Sequence, residues 1–437
     1  MKLVGLTLLI ILIGFAANIT PAIWLQTSQS ISITVALGTP EIVMDYSRDS
    51  CRNSGGLDLT DVQARAVRSP LDESIILISG NAPVNYTMTG PDFDHLRRNC
   101  TAALVSGESP FAYTFSNQEW ILSLYRDGNI IHALIHNEFH DPLAAACKPG
   151  DSSPANPCLY NSITSAVSMD GGQTFTQSHA PDNVVAALPT PWIAPTGQRG
   201  DSNINPRGYF TPSNIIHGKD GLYYSMFFAI PFADKPAFRG TCLMRTDNLS
   251  DPGSWRAWDG TGFSIPMHSP YDSKGDPAPT GLPPCAFVSA ESIGDLYGSL
   301  TFNSYFEKYI LVGSALLSVN RELTCGTYFS LSDDLIHWST PQLLMAGKLP
   351  YPPCSTGNPD GSIIYPSLID HSDTTPNFES TGQSPYLYYV LWNDGLDRDL
   401  MRLQVHFEKE SASLLLFGWA PHTPIRAEDT AITGFGL

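Results

Sequence analysis

The sequence predicts an all-β protein: a five-bladed β-propeller of four-stranded antiparallel blades with long loops. Three observations predict it. Helical periodicity is nearly absent, while short β-branched and aromatic runs bounded by Gly, Pro, Asn and Asp recur along the chain. Each of five such runs is preceded by another extended segment and a turn. A third strand follows, and in four of the five it ends in a polar turn and an aromatic or apolar residue. Aligning Met88, Ser168, Arg245 and Leu331 gives spacings of 80, 77 and 86 residues.

In chain order, residues 62–67 and 74–79 form the first strand pair, 119–125 and 130–136 the second, and 212–216 and 221–228 the third. Residues 297–303 and 308–313 form the fourth, and 362–369 and 385–391 the fifth. Third strands start near 86, 166, 242, 328 and 399, the last without the turn. Compact propeller repeats need about 40 to 50 residues, so spacings near 80 leave long loops, where a rigid scaffold usually carries its binding chemistry. Residues near 30 to 50 remain as a leader or blade-closing strand. One unit recurring in every segment argues for a single propeller over 26–437 rather than two β-sandwich domains.

Lys2 and the apolar run 3–17 have the length of a signal h-region, short of the roughly 20 residues a spanning helix needs. Residues 1–25 are therefore read as a signal peptide, with an uncleaved N-terminal anchor as the alternative. Both place the folded part outside the cytoplasm: secreted, periplasmic or at the cell surface. All eight cysteines follow this segment, and an even count in an exported chain points to disulfides. Cys147 and Cys158 bracket a Pro/Asn/Ser-rich loop and are the expected local staple. No CxxC occurs, so zinc knuckles are not expected.

The 437 residues carry 24 basic and 42 acidic side chains, a formal charge of −18, with only 15% charged. That acidity excludes nucleic acid as a partner, because phosphate recognition needs clustered Lys and Arg. Contact with a membrane is expected only through the N-terminal segment, and a monomer is expected.

Residues 168–175, Ser-Met-Asp-Gly-Gly-Gln-Thr-Phe, resemble the Asp-box turn of sialidases and related propellers. Residues 330–341, Ser-Leu-Ser-Asp-Asp-Leu-Ile-His-Trp-Ser-Thr-Pro, look like the corresponding turn of glycoside hydrolase families 43 and 32. The unit Pro212-Ser-Asn-Ile-Ile followed by Asp220-Gly-Leu-Tyr-Tyr is similar to their inner-strand hairpin. The resemblance implies a five-bladed propeller that cuts glycosidic bonds with carboxylates around a central funnel, without a cofactor. It departs from those families where Thr211-Pro-Ser-Asn214 stands in place of their Asp-Pro, and it lacks their glutamate acid motif.

On this reading Asp61 opens the first inner strand and is the candidate base or nucleophile. In an antiparallel blade the end of the second strand returns to the mouth where the inner strand begins. His136, Asn137, Glu138, His140 and Asp141 therefore meet Asp61 there, with Glu138 as acid or base. His136, Glu138 and His140 alternate along the strand, an arrangement that also fits a metal site. Glu119, at the start of the second inner strand, and Glu291, before the fourth, are the further candidate carboxylates. Arg65 is placed to bind a substrate carboxylate or pair with an acid. His136, Asn137, His140, Ser213, Asn214, Tyr365 and Ser367 are candidate sugar contacts, and Trp192, Tyr209 and Trp392 candidate stacking platforms.

The expected function is hydrolysis of a poly- or oligosaccharide. The alternative is a non-catalytic carbohydrate-binding or surface-interaction propeller. A sialidase is a lesser alternative, since its Arg-Ile-Pro motif is missing. No GxSxG, GxxxxGK[ST] or strand-linked GxGxxG motif is present.

Overall fold

A computed structural model describes residues 33–52, 57–80, 83–147, 158–198, 200–294, 296–319 and 321–410. The expected signal region lies outside them. The chain divides into two compact units. The first, Val35–Glu408, carries the fold described below. The second, Met1–Thr34 with Lys409–Leu437, is described only at Ile33, Thr34, Lys409 and Glu410. No described helix is long and apolar enough to cross a membrane.

Strands dominate, in five antiparallel groups that follow the chain. The first blade is Arg65–Arg68, Ile75–Ile78, Val84–Gly90 and Arg97–Val105. The second is Gln118–Asp127, Ile130–His140 and Leu159–Ser168, edged by Val184–Ala186. In the third, Arg207–Phe210 and Ile216–His217 both pair with Tyr223–Ile230, followed by Gly240–Thr246, Arg256–Trp258 and Phe263–Pro266. The fourth is Ser299–Asn303, Lys308–Val319, Glu322–Ser332 and Gln342–Ala346. The fifth is Ile363–Ile369, Tyr386–Asp394 and Asp397–Lys409, with Glu41–Met44 as its outer strand. The chain thus closes its last blade with a strand from the opposite end, as the residues left over near 30 to 50 suggested.

Hydrogen bonds between blades run round the circle. Asn85 of the first blade takes the Ile121 N–H and donates to the Glu119 carbonyl of the second. Ser123 Oγ takes the Ile215 N–H of the third at 2.9 Å, Asn214 Oδ1 takes the Leu300 N–H of the fourth at 2.9 Å, and Ser299 Oγ takes the Leu368 N–H of the fifth at 3.2 Å. Thr60 donates to the Arg398 carbonyl and joins fifth to first. Ser and Asn recur at these junctions because their short side chains meet a buried N–H that the ladder leaves unpaired. Between blades the faces are apolar, as where Val67 and Ile76 meet Ile121, Ile131 and Ile135. Each such side chain contributes roughly 1.5–3 kcal/mol.

The second and third blades also touch through a parallel bridge, Arg207 to Tyr160 and Gly208 to Asn161. Gly208 permits it: φ is 142°, and a Cβ there would lie 2.3 Å from the Asn161 carbonyl oxygen.

The polar turns join third to fourth strands. Asp170 accepts from Ser168 Oγ, from the Gln173 and Thr174 N–H groups and from Thr174 Oγ1, while Phe175 packs inward. Asp334 does the same for the Ile336 and His337 N–H groups, with Trp338 buried. Replacing Asp170 by alanine frees those turn donors, so urea unfolding is expected to show a loss of about 1 kcal/mol.

All eight cysteines are paired: Cys51–Cys100, Cys147–Cys158, Cys242–Cys285 and Cys325–Cys354. The expected local staple is the second of these.

Candidate active site

Four blade elements bring polar and charged groups to one mouth. Asp61 lies just before the first inner strand, Glu138 near the end of Ile130–His140, Tyr365 early in the fifth inner strand and Arg398 at the start of its third strand. Tyr365 has φ 56° and sits where the register between Ile364 and Ser367 shifts. Such a bulge re-aims a side chain, and the Tyr365 hydroxyl reaches Asp61 Oδ1 at 3.3 Å. Arg398 Nη1 donates to the same oxygen, and its guanidinium lies 3.8 Å from the Trp392 ring centre. Burial pushes Asp61 up to about 6; the Arg398 charge opposes this and the Glu138 charge adds to it.

Glu138 is held differently. His140 Nε2 lies 2.9 Å from its Oε2 and His136 Nε2 lies 3.2 Å from its Oε1. The Thr211 N–H lies 3.1 Å from His136 Nδ1 and fixes the ring in place. Burial alone would push Glu138 up, but the hydrogen bonds from His136 and His140 and their charges outweigh it and hold it down at about 2. Between about pH 2 and 6 the mouth carries one protonated and one ionised carboxyl. Both remain reachable, with side chains 21% and 24% exposed.

Several buried polar atoms around this pair have no hydrogen-bond partner among the described residues. They are Trp120 Nε1, Asn161 Oδ1, Thr211 Oγ1 and Arg398 Nε. Trp120 packs 5.6 Å from the His136 ring, Asn161 Nδ2 is 3.5 Å from Glu138 Oε1, Thr211 caps His136, and Arg398 holds Asp61. Native proteins rarely leave such atoms unpaired.

The structure does not bring the other sequence candidates to this pair. Glu119 is buried, bonded to the Gly107 N–H and Ser116, and its cross-strand partner is Asn137. Asn137 is spent on the Asn117 N–H and Ser162. Both point to the opposite face of their strands from His136 and Glu138, because side chains alternate. Glu291 is exposed in the turn before the fourth blade, where its charge acts on His337. Arg65 meets no acid among the described residues: it is buried and donates to the carbonyls of Ala64, Leu122 and Gly298. Ser213 is fully buried and holds the Met226 N–H, and Asn214 is the clasp to the fourth blade. Ser367 is buried, its hydroxyl without a partner among the described residues. Tyr209 is core, and Trp192 is tied to Asp141. Arg398 escaped the sequence reading. Its one signal is a cation between Asp397 and Asp399 where a strand begins at the mouth.

No protein-family model matches this sequence, and no curated protein is similar to it in sequence. Among solved structures, an alpha-L-arabinanase of Cellvibrio cellulosa complexed with arabinohexaose is similar at a TM-score of 0.43 and 12% identity, over 80% of this chain and 93% of that one. A glycosyl hydrolase from Bacteroides ovatus gives 0.43 and 11% identity, over 84% and 94%. An endo-arabinase from Bacteroides thetaiotaomicron gives 0.39 and 10%, over 83% and 96%. These identities are too low to carry residues across, so the chemistry is argued from the side chains at the mouth.

Proposed function

We propose that the protein hydrolyses glycosidic bonds of an oligo- or polysaccharide, with Asp61 as general acid and Glu138 as the ionised base or nucleophile. The observation that carries this is the split between two carboxyls at one mouth. Glycoside hydrolysis needs one protonated carboxyl to assist the leaving oxygen and one carboxylate to activate water or attack the sugar. A pair whose surroundings drive their protonation apart meets that need. The roles are opposite to the sequence reading of Asp61 as base, because Asp61 is the carboxyl that burial protonates. The chemistry calls for no cofactor. Four disulfides support a place outside the cytoplasm.

One observation favours a second reading, a carbohydrate-binding propeller without turnover. The Arg398 guanidinium sits on Asp61, the pairing of a structural carboxylate. Reducing-sugar release from a polysaccharide panel separates the two. The hydrolase reading expects wild-type release that declines above about pH 6, as Asp61 ionises. Asp61→Asn should lower kcat by about 10² to 10⁴ and flatten that limb. Equal activity of the two proteins rejects Asp61 as the acid, and binding without release by wild type selects the second reading.

A further inference from the structure

A cleft of about 790 Å³ opens between the second and third blades, away from the mouth. Its His132 and the mouth's Glu138 lie on the same strand, six positions apart, or about 20 Å at 3.3 Å per residue. The floor is apolar, with Leu134, Val184, Ile215, Leu249 and Trp255 all buried. His132 lines it at 5% exposed, with no hydrogen bond to another described residue, beside Ser165 and Thr176. Its ring nitrogens are therefore available to a ligand in the cleft.

The rim is polar. Asp182, Asp251 and Asp272 line it with the hydroxyls of Ser178, Ser250 and Ser273, and His268 adds a second imidazole. Burial lowers both imidazoles from the usual histidine range, helped at His268 by the Arg256 charge. The described lining has no Lys or Arg. Three carboxylates in the lining against the single nearby cation Arg256 disfavour phosphates, sulfates and uronic acids. Neutral imidazoles, hydroxyls and carboxylates instead bond to sugar hydroxyls, while the apolar floor takes the C–H face of a ring. The volume falls within the range of small-ligand sites, enough for about two or three sugar rings.

We propose that this cleft is a second, non-catalytic site for a neutral oligosaccharide. It does not rest on the hydrolase reading of the mouth.

The test uses the full chain labelled at histidine 13Cε1, with signals assigned by single replacements. Xylotriose, maltotriose, cellotriose and arabinotriose are the probes, with spermidine as the cationic comparison. The expected result is a saturable shift of the His132 and His268 signals with at least one trisaccharide, at a Kd of roughly 0.1–10 mM. The double variant Ser250→Ala, Asp251→Asn should weaken it at least about tenfold, close to 1.4 kcal/mol, and leave the His136 and His140 signals and Tm unchanged. The proposal is overturned if no trisaccharide moves His132 and His268, if only spermidine does, or if the double variant binds as well as wild type. Failure at the mouth reads differently: His136 and His140 would ignore every sugar while His132 and His268 respond.

Discussion

Glu138→Gln is expected to reduce sugar release by at least about 10³ in kcat, with KM changed little, on whichever polysaccharide the wild type cleaves. The amide keeps the shape and still accepts from one imidazole, so the loss is one of charge. A second effect follows from the geometry. The Glu138 charge helps to hold Asp61 protonated, so any residual rate should decline at lower pH than in wild type. Glu119→Gln is the control. Glu119 is buried against Gly107 and Ser116, so its replacement should affect stability and leave kcat of the folded protein near wild type. A Glu138→Gln protein with wild-type kcat would remove Glu138 from the chemistry.

Arg65→Ala should cost on the order of 4 kcal/mol in urea unfolding, the largest stability loss expected of a single inner-strand change. Arg65 bonds to its own Ala64 carbonyl, to Leu122 of the second blade at 2.8 Å and to Gly298 at the start of the fourth at 2.6 Å. Truncation leaves these buried carbonyls without that donor, at about 1–3 kcal/mol each where nothing replaces it, and opens a cavity beside them. Burying the guanidinium has its own cost: desolvation lowers its pKa to about 9, and among the described residues no carboxylate bonds to it. Arg65→Met removes that cost while keeping most of the volume, so it should recover part of the loss. A loss under about 1 kcal/mol for alanine would mean that the carbonyls find other partners.

The parts of the fold legible in the sequence are those written in local pattern. Residues 119–125 and 362–369 announce inner strands by apolar content and flanking turns, and the Cys147 and Cys158 spacing announces its staple. The chain's closing strand was legible as a remainder, since residues near 30 to 50 belonged to no repeat. At the mouth, Glu138 with His136 and His140 was legible through alternation. The same alternation excludes Asn137, and the pairing of Glu119 with Asn137 excludes Glu119. What sequence pattern does not carry is closure. Arg398 meets Asp61 across 337 residues because the fifth blade returns to the first. Arg65 loses its expected acid partner because three strands converge on it with carbonyls.

The central claim is that Asp61 holds a proton while Glu138, at the same mouth, does not. Carboxyl 13C NMR of aspartate-labelled protein, with the Asp61 signal identified by its loss in Asp61→Asn, tests it most directly. The prediction is a titration midpoint near 6 that moves lower in Glu138→Gln. A midpoint at or below the ordinary aspartate value of about 4, unmoved by Glu138→Gln, would contradict it and leave Asp61 as the ion-pair partner of Arg398.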